Sequence, residues 1–80
     1  MSKFILINHT EPNTNITLFR TYVRKSSITA VNKTKASNVD ENWMVSIYCV
    51  NNMMLSESFE NEVDCDDRLS EIICSLEHDE

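Results

Sequence analysis

The sequence predicts a small α+β protein: a strongly bent antiparallel sheet of four to five strands with one C-terminal helix. Three observations carry this prediction. Apolar and polar residues alternate with period two over short stretches rich in β-branched and aromatic residues, the mark of half-buried strands. A stretch near the C-terminus switches to helical spacing, with Cys65, Leu69, Ile72, Ile73 and Leu76 on one face. The 80 residues contain no glycine and one proline, Pro12. Positions that need a positive φ therefore fall to asparagine, which tolerates that region best after glycine.

Each element follows in order. Residues 3–8 form a continuous apolar run and read as a first strand buried on both faces. Residues 9–15 surround Pro12 and read as a loop. In residues 16–24, Ile16, Leu18, Arg20 and Tyr22 point one way and Thr17, Phe19, Thr21 and Val23 the other, which is a strand pattern. A turn or bulge at Arg24, Lys25 and Ser26 leads to a short strand over 26–31. A single long bent strand over 16–31 is the alternative and gives four strands instead of five. Residues 32–42 are polar and aperiodic and read as a flexible functional loop. Residues 43–50 are the strongest strand, Asn51 and Asn52 the hairpin turn, and residues 53–59 the return strand. Asp64 reads as the helix N-cap, with Asp66 and Asp67 in the first turn, where the helix dipole favours acids. Residues 77–80 read as a frayed acidic tail.

Length and composition bound the function. Eighty residues make one domain, 1–80, with a core of modest size. At 41% hydrophobic and 25% charged, the chain reads as globular. No run reaches the roughly 20 apolar residues of a membrane span. The apolar run at the N-terminus is too short for a signal peptide, so a cytoplasmic location is expected. Without glycine, the phosphate-cradling loop, the dinucleotide fingerprint and the nucleophile elbow are excluded. Cys49, Cys65 and Cys74 are odd in number and form no CxxC pair, so they read as small hydrophobes in a reducing compartment. His9 and His78 lie at opposite ends with no ligand spacing, so no metal site, no cofactor and no catalytic residue is assigned, and the chain reads as a non-enzyme.

Charge is divided along the chain. Residues 1–40 hold six cations against Glu11 and Asp40, and residues 41–80 hold Arg68 against eleven carboxylates, for a net −6. The carboxylates Glu57, Glu60, Glu62, Asp64, Asp66, Asp67 and Glu71, with Trp43, form the candidate partner-binding set. Dense carboxylates imitate nucleic-acid phosphates and occupy basic grooves. Their bland reading is a solvated face neutralised by the basic half. Arg20, Tyr22, Arg24 and Lys25 bring cations and an aromatic ring together and form the alternative, ligand-binding set. An ordinary solvated strand edge is its bland reading. Trp43, Met44, Met53 and Met54 gather at one hairpin, as core or as interface.

A resemblance adds a fold expectation. The strand over 22–25, the turn and strand over 26–31, the hairpin of 45–50 with 53–58, and the closing helix together are similar to small phage-encoded and flagellar-protein-D-like proteins of bent-sheet, SH3- or Sm-like form. It covers about residues 18–76 and carries no chemical motif. Short, acidic, glycine-poor chains also resemble phage anti-defence inhibitors, including anti-CRISPR proteins. The resemblance implies a fold class and not an activity; the acidic half, together with this likeness, gives the expected function, a phage-type inhibitor that uses its carboxylates and the loop over 32–42 to block a basic, nucleic-acid-binding surface of a host defence protein in the host cytoplasm. An oligomeric Sm-like module for a nucleotide or small anion, and a structural or adaptor subunit, are the alternatives. Neither a membrane nor direct nucleic-acid binding is expected, and a homodimer or higher oligomer stays open.

Overall fold

The structure, a computed structural model, describes residues 3–11, 16–35 and 43–78. Five strands precede one helix: β1 (Phe4–Thr10), β2 (Thr17–Arg24), β3 (Ile28–Lys35), β4 (Trp43–Cys49), β5 (Met54–Phe59) and α1 (Glu62–Glu77). A 3-10 turn at Lys25–Ser27 separates β2 from β3, so the five-strand reading holds over the single long strand.

The strands form two antiparallel sheets, β1–β2 and β3–β4–β5. The α+β class is as predicted, but the single bent sheet is divided at the seam between β1 and β5. There, polar side chains stand where a backbone ladder would run. The Ser56 amide donates to His9 Nδ1 at 3.1 Å, the Ser58 amide to Thr10 Oγ1 at 2.7 Å, and the Asn8 amide to Glu57 Oε2 at 2.9 Å. A register irregularity between His9 and Thr10 accompanies the change. Three backbone donors are satisfied this way at the seam.

Local differences from expectation have local causes. β1 is buried on one face only: Ile5 and Ile7 are buried, while Phe4 is exposed. β3 runs to Lys35, four residues into the predicted loop, because Asn32, Lys33, Thr34 and Lys35 pair with Ser46, Val45, Met44 and Trp43. The rest of that predicted loop, 36–42, lies outside the described residues, as do most of the proline loop, 12–15, and the last residues of the tail, 79–80. The hairpin turn forms at Asn51 and Asn52 as expected, and Asn52 adopts φ 66°. The helix N-cap is Asn61, not Asp64. The Asn61 side chain accepts a hydrogen bond from the Asp64 amide at 2.9 Å, which places Asp64 inside the first turn.

The core joins both sheets and the helix. Ile5, Ile7 and Val23 from β1 and β2 meet Val45, Ile47, Cys49 and Leu55 from β4 and β5, and Cys65 and Ile72 from α1. Leu69 and Leu76 pack at the edge of this cluster, as the helical spacing predicts, whereas Ile73 stays 41% exposed.

Candidate functional site

The predicted acidic set separates into carboxylates used inside the fold and carboxylates left on its surface. Glu57 belongs to the first group. On β5 it shares a face with Leu55 and Phe59, so it points inward and is only 4% exposed. Arg68 meets it in a two-point contact, Nε to Oε1 at 2.7 Å and Nη2 to Oε2 at 3.1 Å. The same guanidinium donates to the Leu6 carbonyl at 2.7 Å and to Glu71 Oε1 at 2.9 Å. One arginine thus ties α1 to β5 and β1. The hydrogen bond to Glu57 holds the Arg68 guanidinium firmly protonated, above its already high ordinary range. Glu57 is therefore removed from the partner-binding set: its carboxylate is buried and committed.

Glu62 and Asp66 are half committed. Lys33, on β3, reaches Glu62 at 2.6 Å and Asp66 at 2.7 Å. The hydrogen bond to Asp66, then that to Glu62, raises the Lys33 ammonium above its ordinary 10.5. Here the basic half of the chain does neutralise part of the acidic half. Lys33 Nζ also lies 4.8 Å from the centre of the Trp43 ring, and Lys35 Nζ lies 5.6 Å from it. Trp43 is half-buried against the core. It carries two ammonium groups at its ring, which accords with the core reading of this residue.

The remaining carboxylates stay outward. Among the described residues Glu60, Asp67 and Glu77 form no ion pair, and Asp64 contacts only its neighbouring cap residue, Asn61. Val63, 67% exposed, stands one turn before Asp67 on the same outward stripe. Glu77 lies in the last helical turn, where the dipole disfavours an acid and where no basic residue compensates it.

The second predicted set sits on β2. Thr21 and Val23 turn inward, and Arg20, Tyr22 and Arg24 share the exposed face, as the alternation predicted. Arg24 is held over the Phe4 ring at 5.0 Å. Lys25 is half-buried in the 3-10 turn, and its amide donates to the Lys3 carbonyl. A cleft of about 240 Å³ opens beside Tyr22 and Arg24.

The histidines and cysteines have structural explanations. His9 accepts the Ser56 amide through Nδ1 and stacks on Phe19 at 4.8 Å. His78 caps the C-terminus of α1: its amide donates to the Cys74 carbonyl, and its Nδ1 lies 2.9 Å from that carbonyl and 3.8 Å from Cys74 Sγ. Burial raises the thiols of Cys49 and Cys65, while Cys74 is exposed. Among the described residues no group of three or more His, Cys, Asp or Glu side chains is placed to hold a metal ion. None of the described helices is long and apolar enough to cross a membrane.

Sequence reasoning missed the Arg68–Glu57 centre, although signals for it exist. Arg68 lies three residues after Cys65 and four before Ile72, on the apolar face of the helix. Glu57 lies between two inward strand positions. A charge at each of two inward positions is the signature of a buried pair. Comparisons of the chain with protein-family models, curated proteins and solved structures returned no match.

Proposed function

We propose that this protein is a non-enzymatic binding module. The outward face of α1 docks on a basic, nucleic-acid-binding surface of another protein and competes with the nucleic acid there. The observation that carries this reading is the unpaired carboxylate stripe that remains after the fold has taken Glu57, Glu62, Asp66 and Glu71 into ion pairs. Glu60, Asp64, Asp67 and Glu77 remain at the surface, with exposed Val63 among them as an apolar contact. The acid in the last helical turn opposes the dipole, so helix stability does not account for it. A field of one sign steers association with a surface of the opposite sign. On this reading the protein is a phage-type inhibitor of a host defence protein, acting in the host cytoplasm.

The test compares wild type with Glu60→Lys/Asp67→Lys. Both positions are exposed and, among the described residues, form no ion pair, so the double variant is expected to keep the fold. Each protein is immobilised and offered bacterial lysate. Wild type is expected to retain nucleic-acid-binding proteins that added DNA displaces and that about 0.5 M salt releases by screening. The double variant is expected to retain none of them. Equal retention by the variant would overturn the proposal.

A further inference from the structure

We propose that the cleft between the C-terminal half of β2 and the β4–β5 turn is a binding site for a small aromatic anion, a flat ring bearing a phosphate or carboxylate. It goes beyond the docking role of α1, because no residue of α1 lines this cleft. Its walls supply three kinds of contact. Arg24 supplies the charge: its guanidinium is positioned by the Phe4 ring, and among the described residues no carboxylate pairs with it. In this it differs from Lys33 and Arg68, each of which is held by two carboxylates. Tyr22, Val50 and Met53 supply flat and apolar surface, being 70%, 64% and 44% exposed among the described residues. Polar groups supply orientation. Thr21 is among the lining residues, and Asn51 uses its Oδ1 on the Met53 amide at 3.3 Å, which leaves its amide NH2 to donate to a ligand. The Ser27 hydroxyl is already committed to the Arg24 carbonyl at 2.8 Å and helps fix the turn that carries Arg24.

Size narrows the ligand. Small-molecule sites usually span about 300–1,000 Å³. At about 240 Å³ the cleft has room for one ring system with its anionic group. A lone guanidinium with adjoining apolar surface selects an anion with an aromatic body over a bare ion.

Backbone amide NMR tests the site with two probes, adenosine monophosphate and p-hydroxybenzoate. The expected result is saturable shifts confined to residues 21–27 and 49–53, with a dissociation constant at or below about 1 mM for at least one probe. Response to the first alone assigns a phosphate ligand, and response to the second alone a carboxylate; both outcomes support the site. Arg24→Gln is expected to weaken binding about tenfold, the loss typical of one charge-assisted hydrogen bond. Arg20→Gln lies on the same exposed strand face but outside the cleft and is expected to bind as wild type. The spectrum outside the cleft reports whether each variant is folded, and Arg24→Lys, which keeps the charge, is expected to recover part of the affinity. Absence of saturable shifts with both probes, or an unchanged affinity in Arg24→Gln, overturns the proposal.

Discussion

Two cations tie α1 to the sheets, and they do so at different depths. Arg68 grips Glu57 where the two side chains are 18% and 5% exposed, whereas Lys33 holds Glu62 and Asp66, which are about half exposed. Their distances are similar and their consequences are not. At the rim, water competes for every charge and an ion pair contributes little to stability. In the interior, a guanidinium and a carboxylate deprived of water depend on each other and on the surrounding hydrogen bonds. The Asn8 amide and Leu6 carbonyl complete that set, so the buried pair also holds together the seam that no backbone ladder closes.

Breaking the deep pair is expected to have the largest effect. Glu57→Ala takes the buried carboxylate from the Arg68 guanidinium and leaves it the exposed Glu71 and the Leu6 carbonyl, a loss of about 3–5 kcal/mol, against a total of about 5–15 kcal/mol for a domain of this kind. Urea unfolding followed by circular dichroism should show a variant close to unfolded in water. Glu57→Leu/Arg68→Leu should be more stable than either single substitution, because no charge is left stranded; equal instability would mean that the geometry of the pair, and not its charge, is what matters.

Removing the helix cap comes next. Asn61→Ala strips the acceptor from the Asp64 amide and should cost about 1 kcal/mol in the same assay. Lys33→Met should lower the thermal midpoint by less than either change, and high salt should shrink the difference further. The depth contrast also has a pH signature. The folded state raises Lys33 through its carboxylates and raises Cys49 and Cys65 through burial, so it holds these protons more tightly than the unfolded chain. Stability is therefore complete at neutral pH and falls as pH rises: first above the ordinary thiol value of 9.0, then above the ordinary lysine value of 10.5. Lys33→Met should remove only the second part of that fall in a series of unfolding curves. Thiol labelling at pH 8 should modify Cys74 rapidly and Cys49 and Cys65 only on unfolding.

What was legible in the sequence was local. Asn51 and Asn52 announce their hairpin, because a chain without glycine has few other residues for a position at φ 66°. The alternation of β2 placed Arg20, Tyr22 and Arg24 on one face before any contact was known. What stayed hidden depended on distant partners. The seam bonds join residues 46 to 49 positions apart, and no pattern of spacing announces them. Residues 32–35 read as loop because an edge strand with polar residues on its open face has a loop's composition. Glu57 and Arg68 were read by charge alone, which hid their inward positions.

The account rests on a division of the carboxylates: some serve the fold, and those left outward on α1 and on Glu60 just before it serve a partner. The most direct test is the amount of nucleic-acid-binding protein captured from lysate by Glu60→Lys/Asp67→Lys relative to wild type, with both shown to be folded. The account predicts loss of capture in the variant. Undiminished capture would contradict it and would assign the outward carboxylates to solvation alone.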